Sequence, residues 1–163
     1  MSDDGITLRR AVAADAEAVR DLTRRAYAKW ISLIGREPLP MGFDQVAAIR
    51  DDRVEVMECD GRLVGVAHLV VGDDRVLLEN LAIAPEEAGR GLGSRLLGHV
   101  EALTRDLGRS RLALYTNARF EENLRFYAAR GYGVDREEAV RGGIVVHMSK
   151  AVAPRGSGTA LRW

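Results

Sequence analysis

The chain has 163 residues, 47% of them apolar and 29% charged, and its 24 basic and 24 acidic side chains leave a formal net charge of zero. That length and balance fit one ordinary globular domain, give no global positive field for nucleic acid or an anionic membrane, and include no apolar run of membrane-spanning length. A single cysteine, Cys59, leaves no intrachain disulfide, and the polar opening MSDDGITLRR lacks the apolar core of a signal peptide, so the cytoplasm is the expected location.

Ile6 to Arg10 alternates apolar and polar residues and predicts a short first strand. Val19, Leu22, Ala26 and Tyr27 mark one face of a helix over about Ala14 to Lys29, with Arg24 and Arg25 on its solvated side. The segment WISLIGREPLPMGF, holding Pro38 and Pro40, reads as irregular, and a short helix is expected over Asp44 to Arg50. Strands over Val54 to Cys59 and Leu63 to Val71 meet at Asp60-Gly61, a strong tight-turn pair. Gly72-Asp73-Asp74 turns into a strand over Val76 to Ala84, which Pro85 stops. Then comes a glycine-dense turn, Gly89 to Ser94, and a long helix whose Leu92, Leu96, Leu97, Val100, Leu103 and Leu107 form one apolar stripe, with Gly108 at the cap. Arg111 to Thr116 reads as a buried strand and Arg119 to Arg130 as a helix ended by Gly131. Tyr132 to Val140 and Ile144 to Ser149 read as a hairpin around Gly142-Gly143. Residues 1–150 are expected to form the domain and 151–163 a tail, in which a terminal Trp163 after a Gly-, Pro- and Ser-rich linker could serve as a homodimer contact. This order predicts an α/β fold, with a central mixed, mostly antiparallel sheet of about seven strands and helices on both faces.

The most informative stretch is the strand, glycine turn and helix between Leu77 and Leu107. A helix start presents free backbone N–H groups and a partial positive charge, and glycines let a ligand approach the backbone, so this turn suits an anion, best of all a phosphate. It has no Gly-Lys followed by Ser or Thr, as a nucleotide P-loop needs. Glycines at 89, 91 and 93 also miss the spacing of a dinucleotide fingerprint, which argues against a nucleotide-binding module. The run Ala88-Gly89-Arg90-Gly91-Leu92-Gly93 instead resembles the acyl-CoA loop of the GCN5-related N-acetyltransferase (GNAT) superfamily, whose signature is Gln or Arg, two residues, Gly, one residue, then Gly or Ala. Ala88 departs from its first position, which leaves the binding to the backbone amides. A second stretch, Asn123 to Tyr127 followed by Arg130-Gly131-Tyr132, is similar to the closing motif of the same superfamily, and Asn123 and Tyr127 project from one helical face.

The resemblance covers roughly Ile6 to Lys150 and implies a fold whose fourth and fifth strands splay around acetyl-CoA. It implies an N-acetyltransferase that uses acetyl-CoA as co-substrate, takes no metal, and acts by direct transfer in a ternary complex. Cofactor contacts fall on Gly89, Arg90, Gly91, Leu92, Gly93 and Ser94, on the strand backbone at Leu81, Ala82 and Ile83, and on Asn123. Tyr127 is implied as the acid for the departing thiolate. Glu79 is a candidate base, with an edge-strand charge facing solvent as its plainer reading. The acceptor is expected to be a small-molecule or peptide amine held by the segment Tyr27 to Asp44, which carries Trp30, Met41, Phe43 and Asp44; no nucleic-acid or membrane partner is expected. A non-catalytic acyl-CoA-binding or sensor domain is the alternative. His68, His99 and His147 show no ligand-like clustering and read as packing or surface residues, and Cys59 reads as a small apolar residue.

Overall fold

The computed structural model describes residues 5–153, so the tail from residue 154, including Trp163, lies outside the described residues. The elements run β1 (Ile6–Arg10), α1 (Ala16–Tyr27), α2 (Ile31–Ile34), α3 (Gln45–Asp51), β2 (Arg53–Cys59), β3 (Arg62–Val71), β4 (Arg75–Ile83), α4 (Leu92–Asp106), β5 (Arg111–Asn117), α5 (Glu121–Ala128), β6 (Gly133–Val140) and β7 (Gly143–Ala151). Seven strands form one mixed sheet in the order β1-β2-β3-β4-β5-β7-β6. β4 and β5 pair in parallel, over Arg75–Leu78 and Arg111–Leu114, while β1-β2, β2-β3, β5-β7 and β6-β7 are antiparallel. The predicted fold class is the observed one, and every predicted strand is present.

Residue contacts divide the chain into two units. The first runs up to Val70 and includes Glu79–His99. Its sheet is covered on one face by α1 and α3, where Val19, Leu22 and Ala48 pack with Val54, Val56, Val66, Ala82 and Ala84. Strand alternation turns Met57, Gly65 and Ile83 to the opposite face, where they meet Leu96 of α4. Glu55 lies on that face too. It is buried, accepts from Arg53 at 2.9 Å, and pairs with His99 of α4 at 2.8 Å. A buried carboxylate with two such partners is satisfied, so it fixes α4 on the sheet without an orphan charge.

The second unit comprises Val71–Leu78 and the chain from Val100 onward. Its buried side chains include Val100, Leu112, Leu114, Val146 and Met148. Glu101 in α4 accepts from Tyr132 Oη at 2.7 Å and from Lys150 Nζ at 3.2 Å, which ties the helix to β7.

Two local features differ from the sequence expectation or go beyond it. The segment read as irregular contains α2 and short 3-10 turns at Ala28–Trp30 and Leu39–Gly42, because Trp30 and Met41 are buried by tertiary packing that periodicity does not reveal. The β3-β4 hairpin is bonded from Gly72 N to Arg75 O and again from Ala84 N to Val64 O. Between those two bonds β4 uses one residue more than β3, so β4 carries a β-bulge.

Gly65 leaves room on the sheet for Leu96 of α4. A Cβ there would lie 3.0 Å from Ile83 Cδ1 and 3.3 Å from both Leu96 Cδ2 and Met57 Cβ. Gly65→Val should therefore lower the unfolding free energy by about 1–3 kcal/mol through overpacking, read as a fall in the urea midpoint. A wild-type midpoint would contradict this account of how α4 is seated.

Candidate acyl-carrier and acceptor elements

In the first unit, β4 leads through Ala84 and a short turn at Pro85–Glu87 into the glycine stretch, and α4 begins at Leu92. Gly89 and Gly91 have φ of +85° and +75°, a region that disfavours any residue with a Cβ, and no atom lies within 4 Å of where a Cβ would stand on either. Gly93 lies inside the helix. Ala88 to Gly91 is exposed and Leu92 is buried, so the backbone of the turn faces outward while its first apolar side chain anchors it. The first turn of a helix leaves amides without intrahelical partners, and α4 is long enough at 15 residues to carry a full macrodipole.

The turn is shaped by Glu87, a buried carboxylate that sequence reading did not single out. It pairs with Arg90, three residues on, and approaches Arg62 at 3.6 Å. Arg90 is thereby folded back onto its own loop, and its guanidinium is held further in the charged form by Glu87 first and the Cys59 thiol second. The Glu-x-x-Arg spacing after Pro85 was the available signal. Ser94 is exposed in the first turn of α4.

Along β4, burial alternates. Leu78, Asn80 and Ala82 are buried, whereas Leu77, Glu79, Leu81 and Ile83 are half-buried on the other face. β4 lies inside the sheet order, but its ladder with β5 stops at Leu78, and Glu79 just beyond is half-buried. Asn80 donates to Thr23 Oγ1 of α1 at 3.3 Å, and its Oδ1 has no partner among the described residues.

The acceptor segment is ordered by its own contacts. Trp30 and Met41 are buried, and Phe43 meets His68 edge-on at 5.6 Å. Asp44 caps α3 by accepting from Ala47 N at 3.1 Å, so its carboxylate has a structural task. Arg24 binds Glu37 at 2.8 Å and Met41 O at 3.1 Å, and Arg25 binds Asp21 and Glu86, so the two are paired rather than merely solvated. An open cavity of about 810 Å³ lies here, lined among others by Arg20, Arg24, Met41, Phe43 and Asp44.

In the second unit, Asn123 and Tyr127 share one face of α5 as expected. Asn123 Nδ2 donates to Thr116 Oγ1 at 3.5 Å. Tyr127 is buried, with its ring edge-on to Phe126 at 5.2 Å and to Tyr132 at 5.6 Å. Tyr132 is locked by its bond to Glu101, and burial followed by that carboxylate pushes its hydroxyl well above the usual tyrosine range.

The three histidines each pair with one carboxylate at 2.8 Å: His68 with Asp52, His99 with Glu55 and His147 with Glu138. Among the described residues no group of three or more His, Cys, Asp or Glu side chains is arranged to hold a metal ion. No helix among them is long and apolar enough to cross a membrane.

Known proteins of the same kind share both sequence and fold with this chain. Residues 17–132 match the family model described as the acetyltransferase (GNAT) family. A protein of Mycobacterium tuberculosis described as an uncharacterized N-acetyltransferase is 38% identical over 83 residues, which make up 50% of this chain and 53% of that protein. The chain thus spans about half the length of the curated relatives it matches. In fold it is similar to the ribosomal-protein-S18-alanine N-acetyltransferase of Escherichia coli, at 18% identity and TM-score 0.72 over 93% of this chain and 97% of that one. It is also similar to the PaiA N-acetyltransferase of Thermoplasma acidophilum, solved in complex with coenzyme A, at 22% identity and TM-score 0.69 over 93% and 99%. A family model matched over more than half of the chain, on a sheet and helix order shared with solved members, makes this chain a member of the acetyltransferase (GNAT) family.

Proposed function

We propose that the chain is an acetyl-CoA-dependent N-acetyltransferase that moves an acetyl group to a primary amine by direct transfer in a ternary complex. The observation that carries the reading is the turn at Gly89 and Gly91, two left-handed glycines opening α4 in a chain of this family. Their exposed backbone, with the amides of Leu92, Gly93 and Ser94 at the helix start, suits the pyrophosphate of acetyl-CoA. Arg90, held by Glu87, lies in the same turn. The relatives' names and the coenzyme A complex of the Thermoplasma acidophilum enzyme support the choice of acyl carrier.

The remaining roles follow chemical need. Backbone groups of Leu81, Ala82 and Ile83 would pair with the pantetheine arm and polarise the thioester carbonyl, and such an oxyanion donor is typically worth ~2.7–4 kcal/mol. An amine with a pKa near ~10 is mostly protonated at neutral pH, so a base is useful, and Glu79 on the half-open face of β4 would serve directly or through a water. The neutral amine then attacks the carbonyl carbon, the carbon–sulfur bond breaks, and the thiolate takes a proton from Tyr127. Asn123 would bind the cofactor or hold an ordered water. The acceptor would be a small-molecule or peptide amine held by the Tyr27 to Asp44 segment, whose open cavity carries both acidic and aromatic side chains.

Gly91→Asp puts a charge and a Cβ at a left-handed position facing the pyrophosphate. Acetyl-CoA binding by calorimetry should collapse while circular dichroism keeps the native spectrum; wild-type affinity would refute the site. Tyr127→Phe should cut acetyl-CoA-dependent thiol release by about 10²-fold or more, with acetyl-CoA affinity nearly unchanged. Unaltered turnover would remove Tyr127 from the mechanism.

A further inference from the structure

The chain doubles back at the end of α5. Gly131, with φ of +95°, opens the turn, and the Tyr127 carbonyl accepts from Arg130 N at 3.0 Å and from Tyr132 N at 3.1 Å. The turn thus returns Tyr132 to the ring of Tyr127, which it meets at 5.6 Å and 69°. Phe126 closes on the same ring at 5.2 Å and 80°. Tyr127 and Tyr132 are both buried, so these contacts are made away from water. Edge-on aromatic pairs have a preferred geometry, so they orient a ring as well as bury it.

What fixes Tyr132 comes from other elements. Its hydroxyl donates to Glu101 Oε2 of α4 at 2.7 Å, and Lys150 Nζ of β7 donates to both oxygens of that carboxylate at 3.2 Å. The Lys150 ammonium also stands 5.6 Å from the centre of the Tyr132 ring. A hydrogen bond to a charged partner is stronger than one between neutral groups, and this one is enclosed. The carboxylate holds the Tyr132 proton in place, which leaves Tyr132 an anchor rather than an acid.

We infer that Tyr132 is a positioning residue: tied to Glu101, it holds the Tyr127 ring, and with it the Tyr127 hydroxyl, in the pose that protonates the departing thiolate. The inference rests on the reading of Tyr127 as that acid. A tyrosine has few torsions, so confining its ring confines its oxygen. Proton transfer needs that oxygen within hydrogen-bond reach, and a misplacement of about 1 Å can cost about 10²-fold. An aromatic with only a packing task would behave differently when altered. It would leave the turnover of the folded enzyme as it was, or lower it whether or not Tyr127 keeps its hydroxyl.

The test is Tyr132→Phe, made in the wild-type chain and in the Tyr127→Phe variant. Turnover is read as thiol release from acetyl-CoA over a panel of small amines and short peptides, with water alone included. In the wild-type chain the substitution should lower kcat about three- to ten-fold and leave the KM for acetyl-CoA unchanged. In the Tyr127→Phe chain it should lower kcat no further, because the hydroxyl it places is gone. An unchanged kcat, or the same loss in both chains, overturns the inference and leaves Tyr127 as the acid. Unaltered turnover in Tyr127→Phe alone overturns the acid reading and the inference with it, as does a wild-type chain that binds acetyl-CoA and releases no thiol. Should Tyr132→Phe not fold, Glu101→Ala breaks the same bond from its other side and is judged by the same comparison.

Discussion

The passage from β4 into α4 depends on a backbone that only glycine adopts at low cost, with φ of +85° at Gly89 and +75° at Gly91. That conformation turns the chain sharply enough for Leu92 to bury while the residues before it stay in solvent. The helix that follows is seated by Leu96 against the face of the sheet where Gly65 leaves room, and by His99 on the buried Glu55. Each of these contacts bears on the direction of the helix axis, and therefore on where its positive end points. An anion site made of amides is no better than the aim of its helix.

The strand before the turn is under a second constraint. β4 leaves its parallel partner after Leu78 and holds one more residue than β3 over the same span. α1 contributes one polar contact, Thr23 to Asn80, inserted into a face that is otherwise apolar. Polar contacts at this depth specify register more than they add stability.

Much of this was legible in the sequence because it is local. Alternation and helical spacing found the strands and the long helices, Asp60-Gly61 marked its turn, and the spacing of Gly89, Gly91 and Gly93 separated this loop from nucleotide-binding patterns. The family resemblance read from those residues holds. What was not legible comes from pairing across the fold. The bulge in β4 exists only relative to β3, Asp44 becomes a cap only once α3 starts after it, and each histidine finds its carboxylate on another segment. Thr23 shows the difference plainly: it lies on the helix, but nothing near it in sequence indicates that its hydroxyl receives Asn80 of β4.

The central claim is that the glycine turn receives an acyl-CoA. Thermal unfolding followed side by side with acetyl-CoA, free CoA, ATP and NAD tests it most directly. A ligand at about 100 times its dissociation constant stabilises by ~2.7 kcal/mol, roughly 5–10 °C for a chain of this size. A rise with both CoA species and none with ATP or NAD is the predicted result. Stabilisation by ATP or NAD with no response to either CoA species would contradict it.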